Sequence, residues 1–170
     1  NTRKMMGNKL QHAIDQNYIS DSSIGATNAY SIALQFPEHN DALNYEILEK
    51  LDQLTDYINQ EDYVKRTTSI NSIIKEVNMQ RNGNDEHFYI IPEKDSTIRG
   101  LVLTSKRLLE GSMDSWIDQD NKTLRILVEI YDVSTLKTKA HIDGLNNEII
   151  RIFPKEDNPD FRYLLTGGVI

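Results

Sequence analysis

Residues Thr123–Tyr131 read TLRILVEIY, and their alternation decides the fold class. Leu124, Ile126, Val128 and Ile130 share one face, while Arg125, Leu127, Glu129 and Tyr131 share the other. A period of two with one apolar face predicts a half-buried β-strand. Working outward, Asp118–Asn121 reads as a turn, and Trp116-Ile117 as a short extended piece before it. Downstream, Ser134 is placed to cap a long helix that reaches Phe153, with Ile142, Leu145, Ile149 and Ile152 inward. Pro154 to Pro159 is a turn-rich connection. Phe161, Tyr163 and Leu165 then alternate in a final strand.

The upstream half carries matching signals. Tyr30–Phe36 (YSIALQF) alternates, with Tyr30, Ile32, Leu34 and Phe36 on one face, and Pro37 ends it. Over residues 43–59, Leu43, Ile47, Leu51, Leu54 and Ile58 form the apolar stripe of an amphipathic helix, capped by Asn40 or Asp41. A short strand near Tyr63–Thr68 follows. Ser69 opens a helix carrying Ile70, Ile73, Ile74 and Val77, which should end at Asn82-Gly83-Asn84. A further helix over about 96–109 turns Ile98, Leu101, Val102 and Leu108 inward and is closed by Gly111. Without the two middle helices the order is strand, helix, strand, strand, helix, strand. This predicts an α+β fold with a ferredoxin-like βαββαβ core, an antiparallel sheet with helices on one face. The segment at about 69–112 becomes a helical insertion between the second and third strands. The domain should span 29–170, with residues 1–28 an N-terminal helix (over 5–19) and loop leading in.

Bulk properties narrow the function. The chain has 170 residues, enough for one domain with a real core. A net charge of −7 with dispersed Lys and Arg argues against a nucleic-acid surface. There is no cysteine, hence no disulfide framework or thiolate chemistry. No apolar run approaches the roughly 20 residues a membrane-spanning helix needs. The chain opens on Asn1 and stops on Thr166–Ile170, at the start of an apolar stretch, so both ends read as cut.

Catalytic signatures are missing. His12, His39, His87 and His141 are isolated from one another, with no metal-ligand spacing. Asp85-Glu86-His87 reads as a polar loop. The acidic run Asp114–Asp120 lacks the glycine and distal glutamate of a calcium loop. Neither a nucleophile elbow nor a phosphate-binding glycine loop occurs. Asn121-Lys122-Thr123 matches a glycosylation sequon, a triplet common by chance. The expectation is a protein that is not an enzyme and holds no cofactor or metal.

Three stretches, in order, carry a resemblance. They are Leu48–Tyr57 (LEKLDQLTDY) leading into Val64–Val77 (VKRTTSINSIIKEV); Phe88–Pro92 (FYIIP) with the helix after it, running to Leu108-Leu109; and Trp116–Ile126 (WIDQDNKTLRI) with Tyr163–Gly168 (YLLTGG). Together they resemble the extracytoplasmic porter loop domains of predicted exporters in the resistance-nodulation-division superfamily. Those are relatives of hopanoid, mycobacterial-lipid and Patched-type transporters. The resemblance covers roughly residues 30–170, and order and spacing carry it more than any one piece. It implies a periplasmic or extracellular domain of a parent in the cell membrane, with flanking membrane helices that couple transport to a proton gradient. Its partners would be those helices, the parent's second porter domain and a lipid or other hydrophobic cargo. Assembly of the parent as a homo-oligomer is also compatible. Phe88, Tyr89, Leu101 and Trp116 are the candidate cargo-cleft residues, with core packing as the competing role for each. The alternative is a free-standing ferredoxin-like module of the cytosol that senses a ligand or regulates a partner.

Overall fold

A computed structural model of the chain describes residues 28–109, 111–131 and 134–167. The expected helix over 5–19 lies outside them. Strand β1 (Asn28–Gln35), helix α1 (Tyr45–Asn59), β2 (Val64–Thr68), α2 (Ile70–Arg81), α3 (Asp95–Leu108), β3 (Thr123–Ile130), α4 (Thr135–Ile152) and β4 (Arg162–Gly167) follow in that order. The strands form one antiparallel sheet in the order β2-β3-β1-β4. That is the strand order of a ferredoxin-like fold, and α2 and α3 form the insertion between β2 and β3.

Central register follows from the alternation of β1 and β3. Ile32 faces Ile126 and Leu34 faces Leu124 across the β1–β3 ladder. These inward residues are fully buried, as are Leu48, Leu51, Leu54 and Ile58 of α1 and Leu145 and Ile149 of α4. Between β2 and β3 the register shifts at Val64/Arg66, a bulge that twists the edge strand. Phe36, Phe153, Phe161 and Tyr163 form a chain of ring contacts, with centroids 4.8–6.2 Å apart, at one end of the core.

The insertion does not form a layer of its own. Ile70 and Ile74 of α2 and Ile98, Leu101 and Val102 of α3 join the same buried cluster as the strands. Asn71, also buried, fastens α2 to α1: its amide donates to Leu48 O and to Asp52 Oδ1, each at 2.7 Å. Lys75 adds an ion pair to Asp52 at 2.6 Å.

Several expectations shift along the chain. Asn44, rather than Asn40 or Asp41, caps α1, its side chain accepting from Glu46 N–H. Asn40 and Asp41 instead belong to a short 3-10 turn at Asp41–Leu43, where Asp41 accepts from Glu38 N–H. In α1 Leu48, rather than Ile47, is fully buried, and Ile47 packs half-buried against the core. In α4 the inward residue of the first turns is His141, with Ile142 only half-buried. Leu108, expected inward, is 70% exposed, because Ser105 takes the preceding inward place on α3.

Candidate functional site

An apolar groove lies on the insertion. Ser72, Ile73, Glu76, Val77 and Gln80 of α2 face Ser105, Leu108 and Leu109 at the end of α3, and Tyr89 closes the wall. They enclose a groove of about 460 Å³, within the usual range for small-molecule sites. Ile73 and Val77 are left half-buried because Ile70, Ile74 and Asn78 take the inward face of α2. The groove thus lies along the side of α2 that the core covers only in part.

Phe88, Tyr89 and Ile90 run along this region with 39%, 45% and 54% of their surfaces exposed. Three consecutive large apolar residues in the open are costly in water and mark a contact surface. Asn78 holds them there, its buried amide donating to Phe88 O at 2.9 Å and Ile90 O at 3.2 Å. Asn82 braces Asn78 by donating to its main-chain oxygen at 2.8 Å. Together with main-chain bonds from Phe88 N–H to Asp85 O and Tyr89 N–H to Glu86 O, these hold the segment in place of a β-ladder. Just before it, Asp85 caps the short turn Glu86–Phe88 through His87 N–H. The His87 main-chain N–H, followed by its ring, holds the Asp85 carboxyl below the usual carboxylate range.

The four sequence candidates separate here. Tyr89 lines the groove, and Phe88 is exposed beside it. Leu101 is 1% exposed and belongs to the core, so its place on the inward stripe of α3 removes it from any cleft. Trp116 is half-buried against the core near the β3 hairpin, where its main-chain oxygen accepts from Arg125 N–H; it is not among the groove residues. Ile73, Val77, Leu108 and Leu109 are the wall residues that sequence reasoning misses. Their signal is an apolar stripe on each helix wider than one buried face requires.

A larger recess of about 610 Å³ opens where Phe36–Lys50, the start of α3 and Asp157–Asp160 meet. Its polar groups are largely committed to the fold. Asp95 accepts from Tyr45 N–H at 2.9 Å, and Glu46 pairs with Lys50 at 2.7 Å. No group of His, Asp and Glu among the described residues has the geometry to hold a metal ion. In the run Asp114–Asp120, Asp118 spends one oxygen accepting from Lys122 and Thr123 N–H, which fixes the hairpin turn. The sequon residue Asn121 is similarly engaged, donating to Asn40 Oδ1 and accepting from Lys106. No described helix is long and apolar enough to cross a membrane. No protein-family model matches the chain, and no curated protein resembles it closely enough to count as a relative.

Proposed function

We propose that this chain is an extracytoplasmic, porter-type domain of a membrane exporter of the resistance-nodulation-division superfamily, one that catalyses no reaction itself. Its work is to contact a hydrophobic or amphiphilic cargo while membrane helices of the parent supply the energy from a proton gradient. The observation that carries this reading is the α2–α3 groove: Ile73, Val77, Tyr89, Leu108 and Leu109 form its apolar lining. Exposed Phe88 and Ile90 extend the apolar surface beside it. A second support is the ferredoxin-like strand order, the core that the resemblance implies. Glu76 and Gln80, joined at 2.7 Å, give the groove a polar margin suited to the head of an amphiphile.

The test is a titration of the isotope-labelled 170-residue chain with oleate or a single-chain phospholipid, below micelle formation. Saturable shifts are expected at Ile73, Val77, Tyr89, Leu108 and Leu109. Val77→Asp should weaken binding by more than about tenfold, since an unpaired carboxylate facing an acyl chain costs more than about 1.4 kcal/mol. Because Val77 also packs against the core, a folded-state spectrum retained away from the groove is the control that separates lost binding from lost folding. Absence of saturable shifts, or shifts confined to the recess around Asn40–Lys50, would count against the groove.

A further inference from the structure

The apolar stripe of α4 has a histidine in its first position. His141, Leu145, Ile149 and Ile152 are the buried side chains of this face, at helical spacing. Before His141, residues Leu136, Lys137, Lys139 and Ala140 are exposed and Thr138 is half-buried. The first turn has no acidic residue to complement the helix dipole, and Lys137 and Lys139 oppose it. Among the described side chains of the first two turns, His141 is the buried one; Ser134 caps the start and Lys137 reaches over the Tyr63 ring.

We propose that His141 is a proton-operated latch, which holds the first two turns of α4 on the sheet while neutral and releases them when protonated. The residue is 6% exposed, and its ring meets groups from two other parts of the fold. From β1, Tyr30, itself 2% exposed, places its hydroxyl 2.5 Å from His141 Nε2. From the turn before β2, the Tyr63 ring meets the imidazole edge-on at 5.4 Å between centroids. A cavity of about 210 Å³ opens beside the ring, lined also by Tyr57 of α1, Glu61, Asp62, and Lys137 and Ala140 of α4 itself. A neutral ring with its hydrogen on Nδ1 accepts the Tyr30 proton at Nε2. A protonated ring can only donate at Nε2, so the contact with the Tyr30 oxygen must reverse, the Tyr30 O–H loses its acceptor, and a cation is left in a buried site. Glu61 and Asp62 stand at the cavity as counter-ions for an imidazolium that swings outward.

Burial pushes the ring's pKa below its ordinary 6.5, and the Glu61 charge opposes this only in part. The sign follows. The released or unfolded form takes up a proton first as pH falls below about 6.5, so the latch holds fully above that pH. Its hold weakens as pH drops toward the folded-state value.

The experiment measures amide hydrogen exchange in the full chain at pH 7.5 and 5.0, expressed as protection factors so that the intrinsic pH effect cancels. Protection over residues 137–145 should fall at pH 5.0 relative to that of α1 and α3. The paired replacement His141→Leu with Tyr30→Phe, which leaves no hydroxyl without a partner, should abolish this difference. Independently, the His141 ring of the unaltered chain should titrate below 6.5 by NMR. Unchanged protection at pH 5.0, an equal fall in the paired variant, or a ring that titrates at or above 6.5 would overturn the latch.

Discussion

Replacing Leu101 by alanine is expected to cost about 2–5 kcal/mol of stability. Leu101 is 1% exposed, on the face of α3 that joins the core with Ile98 and Val102. Removing its branched end leaves a cavity where α3 packs against α2 and the sheet, and a packed interior relaxes only in part around such a void. Domains of this size are stable by roughly 5–15 kcal/mol, so the change uses a large share of the total. Urea or guanidinium unfolding followed by circular dichroism would measure it. Had Leu101 lined an open cleft, the same truncation would fall within about 0.5 kcal/mol of neutral, as for most surface replacements. One melt therefore separates the two roles the sequence leaves open at this position.

Gly167→Ala is the second large effect, expected to lower stability by about 2–4 kcal/mol, from dihedral strain and overpacking together. Gly167 ends β4 with φ +151°, a conformation that side chains rarely adopt. A Cβ there would lie 2.7 Å from Tyr30 Cα and 2.8 Å from Ala29 O, both main-chain atoms of the neighbouring strand. Neither can give way without parting the ladder in which Gly167 faces Tyr30. Gly111 is the control: its φ is +81°, but beyond its chain neighbours no atom lies within 4 Å of where a Cβ would stand. Gly111→Ala should therefore cost only the strain, and a thermal melt of both variants should rank Gly167→Ala lower. Only glycine lets the strand end lie this close to Tyr30.

Alternation and helical spacing make the fold legible. Ile32, Leu34, Leu124, Ile126 and Val128 are all buried as their period of two predicts, and this fixes which face of the sheet carries helices. Ser69 and Ser134 cap helices as their positions predict, because a hydroxyl before an apolar stripe has one useful partner, the free N–H groups of the first turn. Asn44 escapes a sequence reading because Asn40, Asp41 and Asn44 all satisfy that chemistry, and only the intervening 3-10 turn selects among them.

The candidate site is less legible, because a groove is made by residues the core rejects. Spacing alone cannot separate Ile73 from Ile74 on α2, or Leu108 from Leu101 on α3. That choice depends on which way the two helices lean once Asn71 and Asn78 are buried. Tyr89 and Phe88 stand out because four consecutive large apolar residues, Phe88–Ile91, lie between polar loops. His141 is hidden by the weakness of any single histidine as a signal, although its i, i+4 relation to Leu145 places it on the buried stripe.

The central claim is that this domain works beside a membrane as part of an exporter. The most direct measurement is to sequence the gene for about 60 codons upstream of Asn1 and downstream of Ile170, enough for a segment of roughly 20 residues and its connection. An exporter domain predicts such an apolar segment on each side, long enough to cross a bilayer as a helix. Polar flanks on both sides, or a stop codon directly after Ile170, would contradict it and leave the free-standing ligand-sensing module as the better reading.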